Sequence, residues 1–596
     1  MAKIAVENNS KSLKLIKPTF DMKRTFFLLF LFFFQQNLFA QKDQFYDFMK
    51  TWNFIKYYHP DVASGKIDAD SLFLVTLKSV DSKDDFNSVI GKLSKNLNKK
   101  LTNPAPVETS NDILTKNQNF DWFQKSGKIS SENRALLNSI YNHRYNFELL
   151  KEGKSVSNEK KYPFPKNENL PFEYRLLTLA KIQGIVDYLF PHKYIMDKGF
   201  EDYFKKILEE NSKINSRKDF EIILAKLVSK FKDSHAFSFY RQLNYKKDIF
   251  HGSYLAPFDF QIVEDHLLVT HIIFPEICAK AQINVGDKIT SINGKSIPQI
   301  IKEKGELLST SNTEKLVFVL SKYENNLIWI GDLQQKNLDV KSGKNNKKFS
   351  TKVDMIDPSD KEKYDLIVNY LQDKIKKRQN RKIVHDDIAY FKINETYQFI
   401  NKLNDDTKMN AVMDSILSNA SKKKAIVFDM REYPDWGGFF FHYLYKYFSP
   451  TENYFAKYYQ PNLKNIGTFS YRDASIVYYP SIPEKTVHHY KGKVFILVNP
   501  DTRSASEWYS MSLQKIFPQA LTIGQQTSGG DGDLVKVDLP GDYLLEFTGN
   551  GIFYPDNSQT QQTGIRINEL IKYKDDDILN KKDLEFERVL ELINKS

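Results

Sequence analysis

Val494-Phe-Ile-Leu-Val-Asn499, followed by Ser504-Ala505-Ser506-Glu507 and the run from Trp508 to Ile516, decides how this chain is read. The apolar stretch predicts a strand and the following run a helix. An elbow of small residues between strand and helix can present a serine hydroxyl at a cleft. It also leaves the next backbone N–H free to stabilise an oxyanion. The same tetrapeptide reads equally as a serine N-cap with Glu507 supporting the first turn. The neighbouring segments choose between the two.

Outward from that elbow the pattern is α/β over residues 385–596. Ile388-Ala-Tyr-Phe-Lys-Ile393 reads as a strand and Met409 to Ala420 as a helix. Ala425-Ile-Val-Phe-Asp-Met430 is a buried-type strand, followed by a turn containing Gly437-Gly438. Residues 521–553 supply further strands around Gly529-Gly-Asp-Gly-Asp533, and Asp583 to Asn594 reads as a closing helix.

Upstream, residues 41–100 and 174–250 look like two copies of one helical unit. Trp52-Asn-Phe-Ile-Lys-Tyr-Tyr-His-Pro60 and Ile185-Val-Asp-Tyr-Leu-Phe-Pro-His192 correspond, each followed later by an Asp-Phe pair and an amphipathic run. Two copies argue for a duplicated helical domain, since a solenoid needs at least three. His59 and His192 sit beside prolines and are read as structural caps. Residues 101–173 are polar and read as a linker or insertion, and the charged residues 346–384 as a second linker.

Residues 251–345 change character to short β-like segments. Gly286-Asp287 precedes a strand, and Asn293-Gly294 is a strong hairpin-turn signal. This stretch resembles a PDZ domain, a module that binds extended peptide by adding a strand.

Bulk properties bound the rest. With 596 residues the chain exceeds one core, and its formal charge is +12, four units of it in residues 1–40. Basic residues are scattered among acids, and no nucleic-acid motif is present. Met22-Lys-Arg followed by the apolar run Phe26 to Phe34 reads as a secretory signal over residues 22–40, with Leu38-Phe-Ala40 as cleavage site. The run is too short to span a bilayer, so no stable membrane insertion is expected after cleavage. The reading is an exported bacterial protein of the periplasm, cell surface or medium. Cys278 is the only cysteine. It permits no internal disulfide and reads as a small buried hydrophobe. The histidines lack metal-ligand spacing, so no cofactor and no metal site are expected.

Taken together, Phe428-Asp-Met-Arg431 with Gly437-Gly438, the segment Asn499 to Glu507, Ile523-Gly524 with Thr527, and Gly564-Ile565 resemble the tail-specific and tricorn-type serine peptidases (C-terminal processing peptidases). With the PDZ-like region the resemblance covers roughly residues 176–596. It implies an α/β multidomain fold: an N-terminal helical domain, a PDZ-like β domain and a crotonase-like (ClpP-like) peptidase core. It implies Ser504 as nucleophile and a peptide or protein substrate.

That family uses two designs. The lysine of the first would fall at Gly530, and Lys536 lies six residues further along a strand. The second takes a histidine from the helical domain. Lys232-Asp-Ser-His-Ala-Phe237 matches its Ser-His motif, which implies His235 as general base and Ser234 as a helper. Imidazole suits that task near neutral pH. The family's glutamate position holds Gln561, whose amide can orient a ring but cannot stabilise imidazolium by charge. Backbone N–H groups of Gly437 or Gly438 and of Ala505 would form the oxyanion hole, with Trp436 as a pocket wall. Two other readings stay open: a catalytically weak or inactive peptide-binding protein on the same fold, and an esterase using the same Ser/His pair. Oligomeric state is not readable.

Overall fold

The computed structural model describes residues 43–595 apart from 81–83, 107–111, 151–154, 380–382, 384, 393–402, 404, 435–437, 450–451, 477–481 and 483–487. The segment read as a signal lies outside the described residues, as do Trp436 and Gly437.

Strands Ile388–Lys392, Ala425–Asp429, Lys493–Val498, Leu521–Gly524 and Glu569–Leu570 form one sheet, and every pairing in it is parallel. Parallel neighbours need crossover connections, and helices Asp406–Ser421, Gly438–Phe448 and Ala505–Ile516 lie in them. Alternate side chains go to opposite faces. Ile426, Phe428, Val494, Ile496 and Val498 pack with Met413, Leu417, Leu444 and Met511 of those helices. Ala425, Val427, Phe495 and Leu497 pack with Val589 and Ile593 of the closing helix Leu584–Asn594. Cover on both faces explains why Val494 to Val498 is apolar without alternation.

The two helical units pack against each other through their equivalent helices, residues 43–58 and Phe172–Gly184. Tyr57 stacks on Tyr188 at 4.5 Å, and Asn53 donates to the Ala180 carbonyl. Gly184 permits the approach, because a Cβ there would lie 2.3 Å from Asn53 Oδ1. His59 caps the short helix Pro60–Ala63 by accepting from Asp61 N–H. His192 departs from the expected capping role. It is fully buried, and neither ring nitrogen has a hydrogen-bond partner among the described residues. Burial pushes its pKa down to about 4, so the ring is neutral.

Residues 258–354 build an antiparallel sheet flanked by helices Pro275–Lys280, Ile297–Gly305 and Thr313–Leu320. Asn293 and Gly294, both at positive φ, turn the hairpin as the sequence predicts. Cys278 is buried with its thiol pushed up to about 11 by burial. The segment expected to be a linker, residues 346–384, holds strand Lys348–Asp354 and helix Lys361–Gln379. The expected insertion also takes part in the fold: Ile113-Leu114 pairs with Phe469–Ser470 of a second, antiparallel sheet.

Hairpin Leu534–Leu539/Tyr543–Thr548 packs away from the parallel sheet. Its Val537, Leu539, Tyr543, Leu545 and Phe547 enter the core of the helical units, beside Phe190 and Phe231. Arg217 and Glu221 anchor it through Tyr543. This crossing brings the end of the hairpin to the Ser-His segment.

Candidate active site

Ser504 stands between strand Lys493–Val498 and helix Ala505–Ile516 at φ 50°, ψ −121°. A non-glycine residue pays for such a conformation unless its surroundings enforce it. Here they do. Thr502 Oγ1 donates to the Met430 carbonyl, Ser528 N–H to the Thr502 carbonyl, and Ser504 N–H to the Gly530 carbonyl at 3.1 Å. Ser504 is half-buried, and Ser506 is buried with its hydroxyl on the Glu432 carbonyl. Ala505 and Gly438 each open a helix, where the first N–H groups have no partner within the helix.

Glu507 is fully buried and organises the facing loop. Oε1 accepts from Thr527 Oγ1 at 2.6 Å and Gly529 N–H at 2.7 Å, and Oε2 from Gly530 N–H at 3.0 Å. Burial raises its pKa. It therefore shapes the Gly529-Gly530 loop. Glu569 pairs with Arg588.

Helix Arg217–Ser229 ends before the Ser-His pair, and Lys232 at φ 47° turns the chain into Asp233-Ser234-His235. The pair is thus not the helix cap. Ser234 Oγ donates to the Ser528 carbonyl, two residues before the glycine that holds Ser504 N–H. A Cβ on Gly530 would sit 3.7 Å from both Asp233 Oδ1 and Ser234 Cβ. The Asp-Ser-His segment therefore fills the space where a longer side chain at position 530 would run. Lys536 is turned to solvent and pairs with Glu546.

His235 Nδ1 lies 2.8 Å from Thr548 Oγ1. Gln561, expected to orient the ring, instead directs its amide nitrogen at Asp233 Oδ1 at 3.5 Å, and its Oε1 has no partner among the described residues. Thr548 was invisible to sequence reading, being 313 residues from His235 on another element. Asp233 adjoins the Ser-His motif, but its type alone assigned it no task.

A brace from the β module locks this arrangement. Ser309 Oγ bonds both the N–H and carbonyl of Asp233; Ser311 and Ser234 exchange two hydrogen bonds. Asn312 donates to the Thr527 and Gln562 carbonyls, and buried Lys315 to the Pro500 carbonyl.

Asp531 is buried behind the loop, with Oδ1 on Thr560 and Oδ2 unpartnered among the described residues. Burial, with Glu507 nearby, pushes its pKa up to about 8. The folded protein then holds a proton here that the unfolded chain releases near pH 4. Stability from this group is full below that pH and declines as pH rises to about 8. Asp531→Asn is expected to raise Tm at about pH 9 more than at about pH 5. Equal shifts at both pH values in a calorimetric scan would refute the assignment.

Residues 387–570 match the sequence profile of peptidase family S41. The chain carries a peptidase family S41 domain. No curated protein matches the chain. Among solved structures, a CPAF mutant is 12% identical, covering 71% of this chain and 98% of its own, with a TM-score of 0.50. The tricorn protease is 16% identical over 71% of this chain and 37% of its own, with a TM-score of 0.31. The photosystem II D1 C-terminal processing protease is 13% identical over 67% and 93%, with a TM-score of 0.30. Within the S41 domain, the Asp-x-Arg segment has a structural task. Arg431 bonds both oxygens of Asp429 and both of Asp583, tying the sheet to the start of the closing helix. Beside it a cleft of about 290 Å³ is lined by Lys392, Arg431, Glu432, Asn499 and Asp501.

Proposed function

We propose that this protein is an exported peptidase that hydrolyses peptide bonds with Ser504 as nucleophile and His235 as general base. The observation that carries the reading is the conformation of Ser504: a strained, braced strand-to-helix elbow whose facing loop, Ser528 to Gly530, also holds Ser234 of the Ser-His segment.

In this reading Ser504 Oγ attacks the scissile carbonyl while His235 Nε2 takes its proton. The oxyanion accepts N–H groups of Ala505 and of Gly438, with Gly437 as the further expected donor. His235 then returns the proton to the leaving amine, and water releases the acyl group by the reverse sequence. Ser234 supports the loop through the Ser528 carbonyl. The PDZ-like module captures an extended chain, which suits C-terminal processing. Export rests on the signal-like segment over residues 22–40. No helix among the described residues is long and apolar enough to cross a membrane.

Labelling of the mature protein with a fluorophosphonate probe, followed by peptide mapping, tests the assignment. Modification at Ser504, abolished in Ser504→Ala, is expected. A folded wild type that binds peptide but takes no label would favour the non-catalytic reading. Hydrolysis of small esters without any peptide cleavage would favour the esterase.

A further inference from the structure

We propose that Thr548 and Asp233 are positioning residues that set the tautomer and basicity of His235, in place of the residue at position 561. This rests on the reading of Ser504 and His235 as nucleophile and base.

Asp233 is fully buried. Oδ1 meets Thr548 Oγ1 at 2.8 Å and His235 N–H at 3.1 Å, and Oδ2 meets Thr548 N–H at 2.6 Å. An ionised carboxylate only accepts. The single Thr548 hydroxyl proton therefore points at Asp233, and the oxygen offers His235 a lone pair. Nδ1 must then carry the ring proton, which leaves Nε2 bare to act as base. When the ring becomes imidazolium, Asp233 Oδ1, 3.7 Å from Nδ1, favours the charge directly and through the polarised hydroxyl. No proton leaves Nδ1 at any point; Thr548 keeps its proton and Asp233 its charge. Gln561 serves as a further donor to the same carboxylate oxygen. A glutamate there would set a second carboxylate against Asp233, where the glutamine amide donates instead.

Other charged groups surround the ring. Glu546 on the hairpin holds Ser238 and pairs with Lys536. Neutral His192 is buried near Asp233, and Glu507 and Asp531 lie behind the Gly529-Gly530 loop. None of these donates to or accepts from Nδ1, whose hydrogen-bond partner is Thr548.

The test is the rate of fluorophosphonate labelling as a function of pH for wild type, Thr548→Val, Thr548→Ser, Asp233→Asn, His235→Ala and Ser504→Ala. Thr548→Val keeps the side-chain shape and removes only the hydroxyl. It is expected to label about 100-fold more slowly, with the acid limb moved about one unit lower because imidazolium has lost its support. Thr548→Ser is expected to restore both rate and limb. Asp233→Asn is expected to behave like the valine variant. Since Asp233 also holds backbone groups, Thr548→Val decides alone if the asparagine variant does not fold. Wild-type rates in His235→Ala would overturn the Ser504/His235 reading itself. A dead His235→Ala beside a Thr548→Val variant with an unmoved acid limb would overturn the relay and leave that reading standing.

Discussion

Replacing His235 by alanine is expected to slow peptide hydrolysis by about a thousandfold or more while leaving the fold intact. The two consequences separate because of where the ring sits. Its side chain is 12% exposed and makes one side-chain hydrogen bond, to Thr548. Without the ring, Thr548 still donates to Asp233, so no buried donor is orphaned. The stability change is therefore expected to stay within about 1 kcal/mol. A neutral serine hydroxyl without a base is a poor nucleophile, so the rate carries the loss. Steady-state kinetics on a cleaved peptide, with a thermal scan on the same samples, check both halves. Full activity in a well-folded variant would remove His235 from the mechanism.

Glu507→Ala is expected to act the other way, through stability first. The carboxylate is the acceptor for Thr527 Oγ1, Gly529 N–H and Gly530 N–H in a site with no exposure. Truncation leaves three buried donors unpaired beside a cavity, a loss of about 3 kcal/mol or more. Activity is expected to fall with it, because Gly530 holds the Ser504 N–H. Glutamine is not expected to rescue: one end of its amide would present a donor to backbone N–H groups that need an acceptor. Chemical denaturation of the three proteins measures this. A glutamine variant as stable as wild type would show that the loop is held by something else.

The elements around Ser504 were legible because their signals are local. Val494 to Val498 is apolar without alternation since both sheet faces are covered, and Asn293-Gly294 turns a hairpin because both residues tolerate positive φ. Residues 346–384 misled for a physical reason. Strand Lys348–Asp354 lies at the edge of its sheet, and only Val353 along it is buried, so its composition is that of a charged connector. Ile113-Leu114 is too short to carry any period and becomes a strand only because Phe469 and Ser470 supply a partner. His192 resembled His59 by position and is equally buried, yet its ring nitrogens meet no hydrogen-bond partner among the described residues, which no local pattern announces.

By itself, then, the sequence determined the strand–serine–helix elbow and the Asn293-Gly294 turn, because each depends on residues within a few positions of one another. Tertiary structure alone decided how the ring of His235 is held. Thr548 reaches it because hairpin Leu534–Leu539/Tyr543–Thr548 buries its apolar face in the helical core, and Asp233 is fixed there by Ser309 from a third region. Hydrogen-bond partners more than 300 residues apart leave no periodicity to read, and their pairing follows only from which hydrophobic faces the folded chain buries together.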